Sequence, residues 1–403
     1  MTITLLLDLD NTLLHNNTEI FIPEYLKALS RYLEDHIDPV KLKKALLAAT
    51  DVMAANNRLD RSLKQTFDEV FYPAIGYEEH QLTETLNNFY SQKFSSLQKF
   101  TSPIPAAVTL VKKAAERGYR VAIATNPLFP LTAIIQRLEW SGLPADEYPF
   151  ALIPSYETFH FAKPNPAFFA EFLAQLGWEE GPVIMVGDDM INDIEPARSL
   201  GICTVWIKNG RNVGQINSTP TVTLEEISQF LPWLDATPQD PLEPNFSSPS
   251  ALLPILKSTP AALLTICNQI DKLLWNKRIQ ADEWCIAEIL CHLRDVDAEV
   301  NLPRVEAVLS EDNPFLAGKD TDPWANERQY INQDGHQAMN SFIQARTRLV
   351  DYLENIQPAT WQRSARHAIF GPTRLIELVN IIAGHDRLHI QQVYKNLHAY
   401  TSK

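Results

Sequence analysis

Residues 183–193 read Val-Ile-Met-Val-Gly-Asp-Asp-Met-Ile-Asn-Asp: apolar residues closed by a glycine, then aspartates at 188, 189 and 193. A short unbroken apolar run that stops at a turn signal is the pattern of a strand buried on both faces, and such strands belong to parallel sheets covered by helices. Working outward, Ile3–Leu9, Arg120–Thr125 and Cys203–Ile207 repeat the pattern, with amphipathic helical stretches between them. That alternation predicts an α/β fold with a parallel sheet and helices on both faces.

Ligands of such sheets bind at the carboxyl ends of the strands, so what each run delivers there matters. The first ends in Asp8-Leu9-Asp10, the second in Thr125-Asn126, and the run at 183–187 in the acid cluster Asp188, Asp189 and Asp193. Lys163, in Lys-Pro-Asn-Pro, stands before a predicted helix and supplies a point cation. Singly, each piece has an ordinary structural reading, as a helix cap, a turn or a solvated loop lysine. Together the carboxylates would repel one another, and a divalent cation with hard oxygen ligands resolves that repulsion while clamping a phosphate.

The order and chemistry of these pieces resemble the haloacid dehalogenase superfamily, over about residues 1–234. The resemblance implies a Rossmann-like parallel sheet carrying a Mg2+-dependent phosphohydrolase acting on a small phosphorylated metabolite. Asp8 would be the nucleophile that forms an aspartyl-phosphate, and Asp10 the acid and then the base. Thr125, the backbone at Asn126, and Lys163 would hold phosphoryl oxygens. Asp8, the carbonyl of Asp10, and Asp188 would hold Mg2+, with either Asp189 or Asp193 completing the shell. An acid at position 10 argues against dehalogenation, because the dehalogenases of the family lack one there. The helical stretch at about 15–100 resembles the family's cap. A phosphomutase would use the same residues, and a binding or regulatory protein that keeps the fold without turnover is the alternative.

Residues 235–250 lose apolar periodicity and are rich in proline, which marks a linker. Beyond it, residues 251–403 show helical spacing and no strand run, which predicts a helix bundle. His385 and His389 lie four apart on one predicted helix face, and His292 lies on another helix. Asp386 is too short for the base of a His-Glu-x-x-His protease. Trp284, Glu288, His292, Leu293, His385, Asp386, His389 and Gln392 instead resemble the pattern of the DinB-like (YfiT-like) four-helix bundles. That resemblance implies a second divalent metal, zinc or nickel, on three neutral histidines. It leaves open a thiol-dependent transferase, with the first domain as accessory, and a metal-stabilised interaction domain. A homodimer through the C-terminal bundle is the expected assembly. His336 and His367 read as surface or loop histidines.

A chain of 403 residues favours two domains. The formal net charge of -14 opposes binding to nucleic acid or an anionic membrane. The apolar start at residues 1–7 lacks a basic leader and meets Asp8 at once, so neither a signal peptide nor a spanning helix is expected there, and a cytoplasmic location is. Cys203, Cys267, Cys285 and Cys291 lack paired spacing and read as buried free thiols.

Overall fold

The computed structural model describes residues 2–210 and 219–401. The described residues fall into two compact units: residues up to Phe168 together with Glu180–Asn245, and Phe169–Glu179 together with Phe246 to the C-terminus.

The first unit is built on a five-stranded parallel sheet. In chain order the strands of this unit are β1 (Thr4–Leu7), β2 (Leu14–Asn16), β3 (Thr101–Pro103), β4 (Arg120–Ile123), β5 (Val183–Gly187), β6 (Cys203–Ile207) and β7 (Val222–Leu224). The sheet order is β4-β1-β5-β6-β7, and β1, β5 and β6 are buried along their whole length. That explains their unbroken apolar runs, since neither face meets water. Leu7 is level with Ile123 on one side and Val186 on the other, so the three chains leave the sheet side by side. Register therefore brings Asp8, Thr125 and Asp188 to one edge.

Between β1 and β4 the chain makes the expected helical insert, with helices Thr18–Tyr32, Pro39–Ala54, Leu63–Ile75 and Glu79–Asn88. Their ends are written in the sequence. The Asn17 and Asp38 side chains accept from backbone N–H groups of the first turns, Ser62 and Gln65 form a capping box, and Gly76 closes the third helix at φ 80°. The sequence did not reveal that the insert is tied at its base by an antiparallel ribbon of β2 and β3, pairing Leu14 with Pro103 and Asn16 with Thr101.

The second unit contains helices Pro249–Asn268, Ile286–Val296, Gly335–Glu354 and Leu375–Thr401. The first of them is long and apolar enough to cross a membrane, but most of it is buried inside the protein. Expecting no strand here was incorrect: β8 (Phe315–Leu316), β9 (Ser364–His367) and β10 (Gly371–Arg374) form a small sheet in the order β10-β9-β8. His367 is likewise no surface or loop residue. It is 4% exposed on β9, and its Nδ1 accepts from the backbone of Ile369 at 3.2 Å in the hairpin turn. His336 lies in the first turn of helix Gly335–Glu354 and stacks on Trp275, with ring centroids 4.2 Å apart. All four cysteines are buried free thiols, as their spacing suggested.

Candidate active site and a three-histidine cluster

A cleft of about 1050 Å3 opens over the carboxyl edge of the sheet, lined by Asp8, Asp10, Thr125, Asn126, Lys163, Asp188, Asp189 and Asp193 among others. Each singled-out residue of the first half is thus brought to one place. The cleft also takes residues from the base of the insert, including His15, Lys99 and Thr101.

Its electrostatic centre is Lys163, whose Nζ donates to Asp8 Oδ1 at 2.9 Å and to Asp193 Oδ1 at 2.5 Å. All three side chains are almost wholly buried. Burial and the neighbouring Asp193 push the Asp8 carboxyl up to about 7, although Lys163 pulls the other way. Burial likewise raises Asp193 to about 6 against the pull of Lys163. Burial works against the lysine's own charge, but Asp193 and Asp8 outweigh it and raise its pKa.

Carboxylate oxygens of Asp8, Asp188 and Asp193 lie within 4.8 Å of one another. The approach of Asp193 depends on Gly187, because a Cβ there would stand 2.2 Å from Asp193 Oδ2. Asp189 is engaged differently. Its carboxylate accepts from the backbone of Ile191 and Asn192 and from the Asn192 amide, at 2.8, 3.0 and 2.9 Å. It caps the turn that aims Asp193 rather than joining the three converging acids.

Thr125 is 2% exposed at the end of β4. The Asn126 side chain bonds the Lys163 backbone instead of facing the cleft with a free amide: its Oδ1 accepts from Lys163 N at 3.1 Å. Asp10 is held by two groups. Asn16 Nδ2 donates to its Oδ1 at 2.9 Å, and the Arg137 guanidinium forms an ion pair with the same oxygen. Sequence reading missed Arg137, which is 2% exposed on helix Leu131–Trp140 beside buried Ala133, Ile134 and Leu138. A charge on the apolar stripe of a helix was the signal that could have found it.

In the second unit His292, His385 and His389 come together. His385 Nε2 lies 3.0 Å from His292 Nε2 and 3.0 Å from His389 Nε2. Burial, and then the neighbouring imidazoles, lower His292 and His385 to about 3, which keeps the rings neutral. His389 Nδ1 is paired with Gln392 Oε1 at 2.8 Å, leaving Nε2 to face the cluster. Trp284 lies parallel to the His389 ring at 6.0 Å. A cavity of about 490 Å3 adjoins the three rings. Asp386 turns the other way: it is fully buried and bonded to Arg346 and Thr259, and Arg346 also bonds Asp297.

Residues 4–201 match the family model of haloacid dehalogenase-like hydrolases. This part of the chain belongs to that family. Residues 255–393 match the DinB superfamily and belong to it. The glyceraldehyde 3-phosphate phosphatase of Pyrococcus abyssi is 30% identical over 125 residues, covering 30% of this chain and 48% of that protein. The phosphoglycolate phosphatase of Mesorhizobium japonicum is 32% identical over 109 residues, covering 27% and 45%. The chain spans about half the length of the curated relatives it matches. Among solved structures, the YfiT four-helix bundle from Bacillus subtilis is 15% identical with a TM-score of 0.35, covering 41% of this chain and 93% of that one.

Proposed function

We propose that the haloacid dehalogenase-like half hydrolyses a small phosphorylated metabolite through a phosphoaspartate on Asp8. The observation that carries this reading is Asp8 itself, just past the end of β1, within 2.9 Å of Lys163 and lining an open cleft together with Asp10. The phosphatases named among the relatives agree with it.

The donor set fits Mg2+: carboxylate oxygens of the buried Asp8, Asp188 and Asp193 converge within 4.8 Å of one another, and hard oxygen ligands suit that ion. Asp8, Asp188 and Asp193 would hold it, and when bound it would offset phosphoryl charge. The chain's own residues do the rest. An Asp8 oxygen attacks phosphorus as the bond to the leaving oxygen breaks, and Asp10 gives that oxygen its proton. Water then attacks the phosphoaspartate phosphorus, Asp10 takes a proton from it, and phosphate leaves with Asp8 restored. Thr125 and Lys163 hold the phosphoryl oxygens, while Asn126 fixes the backbone that carries Lys163.

In the DinB half, His292, His385 and His389 would hold a second divalent metal, zinc or nickel. Around a tetrahedral ion with bonds of about 2.0–2.1 Å, ligand nitrogens stand roughly 3.3 Å apart, close to the separations found here.

The deciding experiment is phosphate release from p-nitrophenyl phosphate, phosphoglycolate and glyceraldehyde 3-phosphate, with Mg2+ or EDTA. Asp8→Asn should lose at least about 10³-fold in kcat. Turnover that survives in that variant would remove Asp8 from the reaction.

A further inference from the structure

A second cavity, of about 250 Å3, lies between the helical insert and loops at 128–132 and 156–157, and shares no lining residue with the catalytic cleft. Its walls come from helices Thr18–Tyr32, Pro39–Ala54 and Leu63–Ile75, from residues 86, 87 and 90, and from the loops at 128–132 and 156–157. Aromatic rings and aliphatic side chains dominate it, including Leu29, Phe67 and Phe129. Protein interiors are close-packed, so a void of this size in apolar surroundings is unusual. An apolar cavity of roughly 150 Å3 is enough to stay dry and take up benzene. This one has room for a flat molecule of roughly ten heavy atoms on the same scale.

Several polar groups also line it. The hydroxyls of Tyr25 and Tyr90 bond each other at 2.7 Å and have little left to offer. Tyr72 and Tyr156 also line the cavity, and among the described residues their hydroxyls have no hydrogen-bond partner. Burial pushes Tyr72 up to about 12 and raises Tyr156 as well, so both are neutral hydroxyls, able to donate or accept. Its charged groups are engaged within the protein: Lys64 Nζ sits 2.5 Å from both Asp68 and Glu79, and Glu157 accepts from the Leu131 backbone N–H at 3.2 Å. Apolar walls, charges engaged within the protein with no cation left over among the described lining residues, and two unanswered hydroxyls favour a neutral guest with one polar group.

We propose that this cavity is a binding site, separate from the phosphatase cleft, for a flat, neutral two-ring molecule that carries one hydroxyl or N–H group. The aromatic body fills the apolar volume, and its polar group meets Tyr72 or Tyr156.

Calorimetric titration of the full chain with 2-naphthol tests this without any phosphorylated substrate, so the result is independent of the phosphatase reading. The expected result is saturable binding at one site with Kd on the order of 100 μM. Leu47 lines the cavity yet is 44% exposed, so it marks where the cavity meets solvent and tolerates change. Leu47→Trp should weaken binding at least about tenfold by plugging the mouth. Tyr72→Phe and Tyr156→Phe keep the volume, and one of the two should weaken 2-naphthol about fivefold by removing the hydroxyl that meets its polar group. No saturable heat with the wild type overturns the site and leaves the cavity to water. Binding unchanged in Leu47→Trp, with its fold confirmed by circular dichroism, places the guest elsewhere and also overturns it. Loss in Leu47→Trp with wild-type binding in both Tyr72→Phe and Tyr156→Phe overturns the polar part of the assignment.

Discussion

At the scale of single residues, the site depends on two that carry no chemistry. Gly187 has no side chain because Asp193 occupies the space: an added Cβ would meet the carboxylate at 2.2–2.7 Å, and Asp193 is anchored on its other side by Lys163. Gly187→Ala should therefore displace Asp193 from the acid cluster, lowering kcat by about 10²-fold and raising the Mg2+ concentration needed for half-maximal activity. The fold itself should lose only about 1–3 kcal/mol by urea unfolding. An Ala variant with wild-type metal dependence would show that Asp193 does not need its present position. Arg137 is the counterpart on the other acid. Arg137→Met keeps an unbranched apolar stem against Phe21 and Phe129 but frees Asp10 from its ion pair. A fall of about 10–100-fold in kcat with KM little changed is expected, since Arg137 does not line the cleft. The acids were legible because strand ends announce themselves by pattern. The choice between Asp189 and Asp193 was not, because both follow the same strand and only the three-dimensional turn shows one capping the backbone while the other meets Lys163.

At the scale of elements, the strands buried on both faces could be read and the half-exposed ones could not. β1, β5 and β6 are buried along their whole length and so carry an apolar run, whereas β8, β9 and β10 mix exposed and buried positions over two to four residues and show no such run. Ser-Ala-Arg-His at β9 alternates exposed and buried, which is how His367 comes to be inside. Helix Ile286–Val296 shows how one helix start is fixed by side chains. Glu288 accepts from Cys285 N at 3.0 Å and receives the Arg278 fork, with Nε at 2.9 Å and Nη2 at 2.5 Å, while being fully buried. Burial opposes its charge, but the Arg278 hydrogen bonds and the Cys285 amide outweigh it and hold the carboxyl below its ordinary 4.5. A depressed carboxyl stabilises the fold above its unfolded pKa, and that contribution is lost as pH falls through the folded value, below about 4.5. Glu288→Gln should cost about 2–3 kcal/mol at pH 7, because it leaves Arg278 without its anion. The gap in Tm between wild type and variant should narrow as the pH drops from 5 to 3. A gap that is constant over that range would mean the ionised form of Glu288 contributes no stability.

At the scale of the whole molecule, the described residues carry two metal-competent clusters of opposite chemistry, and each draws all its ligands from one unit. Carboxylates select hard cations, and neutral imidazoles select zinc or nickel, so the sites should load independently from a mixture of ions. His385 is the ring whose Nε2 touches both neighbours, so His385→Ala removes the middle of the second cluster. That variant should lose its stoichiometric zinc or nickel by elemental analysis while retaining Mg2+-dependent phosphate release within about twofold of wild type. Asp8→Asn should do the reverse, silent in phosphate release and full in its transition metal. The low pKa values of His292 and His385 mean that protons do not compete with metal near neutrality, so loading should proceed at pH 7 without a basic shift. If His385→Ala instead abolished phosphate release with the transition metal already stripped from the wild type and its activity intact, the two halves would be coupled through their folding rather than through their metals. Independent loss, site by site, is what two separate donor sets require.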